Sequence, residues 1–309
     1  MDERKPRRIK IAPKPDGERR DSAERGERAG RPGGERRAPR PGHGRGEPRD
    51  ARPPRGGRDT RPGRELVLEE GKIYGVNACH MFFAHRRNSL VRAYFTEDTA
   101  KRFGEVMKYC AGERLAYHIV DEQEMERITA STHHEGVCFL IKKLPPLSVG
   151  AWLKANGRVR RQAVLVLENV GNPHNLGAIL RICAHFGVPA VAVNDPGAMT
   201  SGAAVRTAEG GAEFVEVLAY TNLEHLLAEF HQAGYTIVTT TSHGGSDLFL
   251  ARMPEKALIL FGEESKGLSK KALAAGDVRV KIPGTAQVES LNVSTATAIV
   301  LAEYWRQHH

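Results

Sequence analysis

From about residue 160 onward, hydrophobic positions form short apolar runs, and each run is followed by a stretch with helical spacing. Five of these runs are predicted to be strands, beginning at Ala163, Pro189, Tyr235, Ala257 and Val278. Near-continuous apolar strands are typical of a parallel sheet that is covered by helices on both faces. The C-terminal half of the chain is therefore predicted to be an α/β domain with a mainly parallel sheet.

An earlier segment, residues 72–143, alternates shorter strand and helix patterns. Three runs rich in aromatic and β-branched residues are predicted to be strands, at 92–97, 115–121 and 136–143. Residues 100–110 and 122–129 have helical spacing with acidic residues near their starts. This pattern indicates a second, small α/β domain.

The first 64 residues contain no aromatic, Val or Leu residue and ten of the seventeen prolines. Such a segment cannot bury enough apolar surface to offset the entropy of ordering, so residues 1–68 are predicted to be a disordered arm. The first 64 residues have twenty-one Lys and Arg against eleven Asp and Glu, whereas the other 245 residues have 25 against 26. The net charge of +9 therefore belongs to the arm, which is suited to attract polyanions. A solvated spacer without a partner is the alternative.

The domain organisation follows from these shifts in pattern. Paired Pro145 and Pro146, with turn residues around them, predict a linker between the two α/β domains. The predicted divisions are the arm 1–68, the small α/β domain 69–144, the linker 145–159 and the larger α/β domain 160–309.

The cysteines and the hydropathy narrow the class of protein. The four cysteines stand far apart without a C-x-x-C pair, which favours reduced thiols over a zinc site or disulfides. No apolar run approaches the length of a membrane span, and the first residues are charged. We therefore expect a soluble cytoplasmic protein with no membrane partner.

Ligands of open α/β sheets bind beside the carboxyl ends of the strands, so the loops that leave the predicted strands are candidate sites. In the first loop and helix, residues 168–188, Asn175 is placed to cap the helix and Gly177 lies one turn before Arg181. The glycine leaves room beside the arginine for a ligand or for another backbone. A capped helix with one surface arginine is the alternative.

Two further loops have unusual small residues. In residues 261–269, Gly262 ends a strand and Gly267 precedes a helix, and glycines there permit positive φ and close approach of a ligand to the main chain. In residues 282–303, a helix expected to start near 290–292 begins with small residues at Ser294, Ala296 and Ala298. An ordinary turn and a tightly packed core helix are the alternatives. The G-x-G-x-x-G fingerprint is absent from this domain, which disfavours a nicotinamide or flavin cofactor.

In this order and at these spacings, the segments NPHNLGAILRICAHFGV, GEESKGL and IPGTAQVESLNVSTATA resemble the three motifs of the SpoU (TrmH-type) RNA 2′-O-ribose methyltransferases of the SPOUT superfamily. The resemblance extends over residues 160–309. Residues 73–143, with IYGVNA near the start and HHEGV near the end, are similar to the small substrate-binding domain of that family. With its basic arm, the layout is closest to the YfiF-type members.

The resemblance implies a fold, a cofactor and partners. The C-terminal domain is expected to contain a deep trefoil knot, to bind S-adenosylmethionine in a bent conformation in the knot, and to form a homodimer through the knot domain. The expected substrate is structured RNA, either ribosomal or transfer RNA, and the expected reaction is methyl transfer to a ribose 2′-hydroxyl.

The resemblance also assigns residues to this site. Its cofactor-binding positions match Gly262, Ile282, Leu291 and Asn292, and its catalytic positions match Asn175, Arg181, Glu264, Asn292 and Ser294. Arg181 is also expected to contact RNA. It either accepts the hydroxyl proton or orients the adjacent phosphate while a phosphate oxygen or water takes that proton. Phe261 and Glu289 stand where smaller residues are common in the family.

The histidine pair His133 and His134 lies near Glu135 and Cys138. Adjacent histidines before a strand lack the geometry of metal ligands, so no metal is expected. The pair is predicted to orient a turn or to contact RNA.

Two other functions remain open at this stage. One is a non-catalytic RNA-binding relative with the same fold, acting in ribosome or RNA maturation. The other is an unrelated α/β nucleotide-binding enzyme, which the absence of phosphate-loop patterns disfavours.

Deleting residues 1–64 is expected to weaken RNA binding and to flatten its salt dependence, because fewer counterions are released when the arm is missing. Filter binding of full-length and truncated protein to one RNA across a salt series measures both quantities. An unchanged salt slope would identify the arm as a spacer.

Overall fold

The computed structural model describes residues 69–309, so the predicted arm, 1–68, lies outside the described residues. The described chain forms two sheets, of four and eight strands. The strands are β1 (Glu70–Tyr74), β2 (Leu90–Phe95), β3 (Ala116–Ile119), β4 (Val137–Lys142), β5 (Leu147–Ser148), β6 (Gln162–Glu168), β7 (Ala190–Val193), β8 (Glu216–Ala219), β9 (Thr236–Thr240), β10 (Ser246–Asp247), β11 (Lys256–Gly262) and β12 (Val278–Lys281).

The helices alternate with these strands along most of the chain. They are α1 (Val76–Arg86), α2 (Glu97–Ala100), α3 (Gly104–Gly112), α4 (Glu122–Thr129), α5 (Val149–Asn156), α6 (Pro173–Phe186), α7 (Pro196–Met199), α8 (Gly202–Thr207), α9 (Leu223–Gln232), α10 (Lys270–Ala274) and α11 (Val293–His308). Two 3-10 turns lie at Arg87–Ser89 and Gly211–Glu213. Among the described residues, no helix combines the length and the apolar character that a membrane span requires.

The small sheet has the strand order β1-β4-β2-β3 and is antiparallel except for the β2–β3 pair. Alternate side chains of its strands pack against α1 and α3 in one apolar core. Four phenylalanines form the centre of that core, and their contacting ring centroids lie 5.4–6.1 Å apart: Phe82, Phe95, Phe103 and Phe139. All three strands predicted in this segment form, whereas the helix predicted at 100–110 begins only at Gly104.

The large sheet has eight parallel strands in the order β10-β12-β9-β11-β6-β7-β8-β5. On β6, Leu165 and Leu167 are buried against one face of the sheet, and Val164 and Val166 are buried against the other. Helices α6 and α11 cover the first face, and α5, α9 and α10 cover the second. Because both faces are covered, the central strands β6, β7 and β11 are buried along nearly their whole length, and the predicted parallel α/β architecture is confirmed.

The structure differs from the sequence prediction in the interval 145–159. This interval was predicted to be a linker, but β5 pairs with the edge strand β8 and α5 packs on the large sheet. Val149 and Trp152 bury their side chains in that core, and the Ser148 hydroxyl caps α5. The paired prolines end the small domain, and the short apolar stretch after them is a core helix of two turns.

The four cysteines of the chain are buried and form no disulfide. Burial raises the pKa of the Cys138 thiol to about 12 and also raises the pKa of Cys79. Because the thiolate is disfavoured, these residues act as small core side chains. The described residues contain no group of three or more His, Cys, Asp or Glu side chains arranged to hold a metal ion.

The small domain packs on α8 through β1 and on the 3-10 turn that follows α8 through α1. Val205 of α8 lies in the core of the small domain. Polar pairs surround this apolar contact: Glu135 accepts from the Val76 main-chain N–H at 2.9 Å and forms an ion pair with Arg206 at 3.2 Å. The small domain is therefore held against the large sheet by side chains of both.

Arg86 forms a two-bonded ion pair across this junction with Glu213, whose side chain is only 2% exposed. Arg86→Ala is expected to lower the free energy of unfolding by about 3 kcal/mol, because it leaves a buried carboxylate without its partner. Urea unfolding measures this loss. Lys101→Ala is the matched control, because Lys101 pairs with Asp98 at 3.8 Å with both side chains exposed, and it should cost less than about 0.5 kcal/mol. Equal losses in the two variants would contradict the importance of the junction pair.

Candidate functional site

A cavity of about 490 Å³ lies at the carboxyl ends of β9, β11 and β12. These three strands are neighbours in the parallel sheet, so the loops that leave them emerge at one edge. The lining comes from residues 240–243 after β9, from 261–268 around the end of β11, and from 282–283 and 288–291 after β12. The start of α11 completes the wall.

The loop after β11 folds back sharply onto the strand end. Gly267 has φ +66° and donates its main-chain N–H to the Glu263 carbonyl at 2.9 Å. A Cβ added to Gly262 would collide with the main chain of Gly267 and Leu268. Gly267 thus has the predicted positive φ, and Gly262 allows the close approach of the loop's own backbone, whereas the approach of a ligand to these glycines stays a prediction.

The loop after β12 brings Ile282 and Leu291 to the cavity and ends at the first residue of α11. Asn292 caps this helix. Its side-chain oxygen accepts from the main-chain N–H and the hydroxyl of Ser294, at 2.9 and 2.6 Å. Asn292 and Ser294 thus fix the point where the loop becomes a helix, next to the cavity wall.

Helix α6 joins this arrangement through Asn175. The Asn175 amide donates to the Glu264 carboxylate, and its oxygen accepts from the Asn292 side-chain amide at 3.0 Å. A continuous chain of hydrogen bonds therefore links all three sequence motifs, through Glu264, Asn175, Asn292 and Ser294. Four of the five predicted catalytic residues are brought together.

The expected capping role of Asn175 is wrong. Helix α6 begins at Pro173, and its cap is Asn172, whose side chain accepts from the His174 main-chain N–H at 2.9 Å. Proline has no backbone N–H, and the N–H groups of the first helical turn have no partner within the helix, so proline is favoured at the first helical position. Helix α6 therefore begins at Pro173, upstream of Asn175. Asn175 is thereby free to contact the other two motifs.

Gly177 serves the second of the purposes considered for it. A Cβ on Gly177 would collide with the Ala204 carbonyl and with the side chain of Thr207. The glycine therefore allows α6 and α8 to pack with their backbones close together, rather than opening room for a ligand.

Arg181 lies apart from the hydrogen-bonded group. It is exposed on α6, and within residues 69–309 it neither lines the cavity nor forms a hydrogen bond or ion pair with a described residue. Its main chain packs beside Gly211, where an added Cβ would lie 3.0 Å from the Arg181 Cα. The guanidinium is free to reach a molecule outside this chain.

The histidine pair is divided between surface and interior. His134 is 3% exposed, and its Nδ1 accepts from the Gly136 main-chain N–H at 3.0 Å, so it orients the turn before β4. Its other ring nitrogen faces Glu122. His133 is exposed, and only this ring of the pair is accessible to RNA.

The loop after β9 lines the cavity but was not among the predicted site loops. Thr241, Ser242 and His243 line the cavity, and Thr241 Oγ1 accepts from the His243 main-chain N–H at 3.1 Å. The signal was available, because this loop follows a buried strand and is rich in hydroxyl residues and glycine. This loop lies outside the three segments that resemble the family motifs, so the resemblance did not point to it.

Charges around the cavity are mainly negative. Glu263, Glu264 and Glu289 line it, against Lys266 as the lining cation. The hydrogen bonds that Lys266 and Ser265 donate to Glu263 lower the pKa of that carboxyl, so it stays ionised. Apolar side chains such as Leu268 and Val293 form the inner wall. The cavity therefore suits a ligand that carries positive charge and one apolar surface.

Two family models match the chain. The SpoU rRNA Methylase family matches residues 162–302, and the domain described as RNA 2'-O ribose methyltransferase substrate binding matches residues 72–147. The first range holds the large sheet and the cavity, and the second holds the small sheet.

Two relatives align with most of this chain. The uncharacterized tRNA/rRNA methyltransferase YfiF of Escherichia coli O157:H7 is 47% identical over 240 residues, which cover 78% of this chain and 69% of the relative. The 23S rRNA (guanosine-2'-O-)-methyltransferase RlmB of Neisseria meningitidis serogroup B is 31% identical over 247 residues, covering 76% of this chain and 94% of the relative.

The fold is also found in solved structures. The SpoU methyltransferase AviRb from Streptomyces viridochromogenes, in complex with the cofactor AdoMet, superposes with a TM-score of 0.62 at 20% identity, covering 77% of this chain and 90% of that one. The family models, the relatives and the arrangement of the three motifs agree. The chain belongs to the SpoU family of RNA methyltransferases.

Proposed function

We propose that this chain transfers a methyl group from S-adenosylmethionine to a ribose 2′-hydroxyl of structured RNA, either ribosomal or transfer RNA. The observation that carries the proposal is the single cavity on which the second and third motifs converge, tied to the first motif by hydrogen bonds. The small domain, with its substrate-binding family match, is proposed to bind the RNA.

The residues of the cavity fit S-adenosylmethionine. The volume of about 490 Å³ lies within the range of small-ligand sites, and the three glutamates at its walls suit a ligand with sulfonium and ammonium charges. Main-chain groups at Gly262, Ile282, Leu291 and Asn292 are proposed to hold it. Bound there, S-adenosylmethionine supplies an electrophilic methyl group, so the chain's own task is to place the hydroxyl in line with it.

The Glu264–Asn175–Asn292–Ser294 hydrogen bonds are proposed to hold the loops in the geometry that transfer requires. The side-chain amides of Asn175 and Asn292 each donate one of these hydrogen bonds and accept another, so turning either amide breaks two contacts. Placement of this kind is a large part of what an enzyme contributes when the donor is already reactive.

Arg181 is proposed to act on the RNA rather than on the cofactor. A ribose hydroxyl is a poor nucleophile near neutral pH. An arginine that orients the adjacent phosphate lets a phosphate oxygen or a water molecule take the hydroxyl proton. The exposed position of Arg181, outside the cavity of its own chain, supports a homodimer in which each Arg181 serves the cavity of the partner. The trefoil knot and the dimer contact through the knot domain belong to this proposal.

Isothermal calorimetry with S-adenosylmethionine tests the cavity. The wild-type chain should bind with measurable heat, whereas Gly262→Ala should bind about tenfold more weakly or worse, because its Cβ forces the loop after β11 outward. Gly284→Ala is the matched control, because no atom lies within 4 Å of its added Cβ, and it should bind like wild type. Absence of heat with the wild-type chain would favour a non-catalytic RNA-binding relative.

Arg181→Ala should reduce methyl transfer by more than about a hundredfold while leaving cofactor binding unchanged, because the arginine contacts the reacting RNA and not the donor. Transfer of radiolabelled methyl to total RNA from cells that lack the gene measures activity, and calorimetry measures binding. Arg252→Ala removes another exposed arginine of the same domain and should keep full activity. Retained turnover in Arg181→Ala would refute the assigned role.

A further inference from the structure

One face of the small sheet is only partly covered. Helices α1 and α3 pack on the opposite face, whereas on this face α4 covers Tyr74 and Cys138 through Met125, packs partly against Tyr94, and leaves the more distant positions exposed. We call the uncovered part the open sheet face, and it consists of Lys72, Arg92, Tyr94, Ala116, His118, Leu140 and Lys142.

The strand register sets these side chains in rows across the sheet. Tyr94 on β2 pairs with His118 on β3, and their ring centroids lie 5.4 Å apart with planes inclined by 23°. The two rings are therefore stacked on each other, and the exposed ring of His118 supplies the accessible aromatic surface. Such a surface can stack with nucleobases, which each present a π-face.

A β-bulge places Arg92 on this face. The register shifts between Leu90 and Arg92, so Leu90 stays in the core, although strict alternation would put the two side chains on the same face. Arg92 then donates to the Tyr94 hydroxyl at 3.3 Å, which holds the guanidinium beside the aromatic surface.

The charge of the open sheet face is positive. Lys72, Arg92 and Lys142 are exposed, and none of them forms an ion pair with a described residue. Glu70 on β1 lies in the same rows and contributes one negative charge, so the three cations leave an excess of two positive charges. Cations without a protein partner, placed around stacked rings, complement a phosphate backbone whose bases are unpaired.

The β1 edge of this face abuts the large domain. A Cβ on Gly202 of α8 would lie 2.5 Å from the Tyr74 ring and 3.1 Å from the Lys72 carbonyl. The open sheet face is therefore fixed relative to the domain that carries the cavity, which a surface that positions a substrate requires.

We propose that the open sheet face binds an unpaired stretch of the RNA substrate, with a base stacked on the His118 ring, which Tyr94 supports from behind, and phosphates contacting Lys72, Arg92 and Lys142. This inference rests on the proposed RNA substrate and names the surface that receives it. Helical RNA presents its bases stacked inside the duplex, so the aromatic surface selects single-stranded loops or bulges.

Fluorescence anisotropy of the full chain with a labelled single-stranded RNA of about ten nucleotides, and with a duplex of the same length, tests the proposal. His118→Ala should weaken single-strand binding about tenfold, and His118→Phe should restore it, because a ring suffices for stacking. Tyr117→Ala is the matched control, since Tyr117 is exposed on the same strand but on the opposite face, and it should bind like wild type.

The electrostatic part has its own pair of variants. Arg92→Ala should lower the slope of log affinity against log salt by about one, whereas Lys108→Ala, on α3 behind the sheet, should leave the slope unchanged. All these positions are exposed, so unfolding midpoints should match wild type. If wild type binds the single strand and His118→Ala and Arg92→Ala match their controls, the open sheet face is overturned while the proposed methyl transfer stands. If wild type binds neither RNA, the RNA substrate itself is refuted, and the calorimetry still reports on the cofactor separately.

Discussion

The parallel alignment of β12, β9, β11 and β6 at one side of the large sheet is the constraint on which the site depends. Because neighbouring parallel strands end at the same edge, loops that are distant in sequence emerge within contact of each other. Residues 240–243, 261–268, 282–283 and 288–291 share one cavity for this reason. The buried apolar side chains that hold these strands in register therefore also determine the position of the chemistry.

Within that frame, the local geometry is set by two kinds of contact. Main-chain approach at Gly262 closes the loop after β11 and tolerates no side chain. Amide hydrogen bonds then connect this loop to the other two motifs, since Asn175 contacts both Glu264 and Asn292. The main-chain approach at Gly262 shapes the wall of the cavity, and the amide hydrogen bonds of Asn175 fix its rim. A substitution at either place should therefore also disturb the loops that the other contact holds.

Much of this could be predicted from the sequence, and the successes and failures have physical reasons. The strands that begin at Ala163 and Ala257 could be predicted because each is a continuous apolar run, as expected of a strand covered on both faces. The order of the motifs indicated the family. The helix α5 was missed because two buried side chains, Val149 and Trp152, give too short a pattern beside paired prolines. The cap of α6 was misplaced by three residues because Asn172 and Asn175 are both competent caps, and the preference of Pro173 for the first helical position, which favours Asn172, was not used.

The position of Arg181 links the fold to the assembly that the proposed reaction needs. Four of the five motif side chains assigned to catalysis are joined by hydrogen bonds, whereas Arg181 is exposed and does not line the cavity. Gly177 and Gly211 hold α6 closely against α8 and the turn after it, so α6 cannot rotate to bring the guanidinium inward without losing that packing. An exposed arginine held in this position by the packing of α6 is available to a second chain, and this is the structural basis of the proposed homodimer.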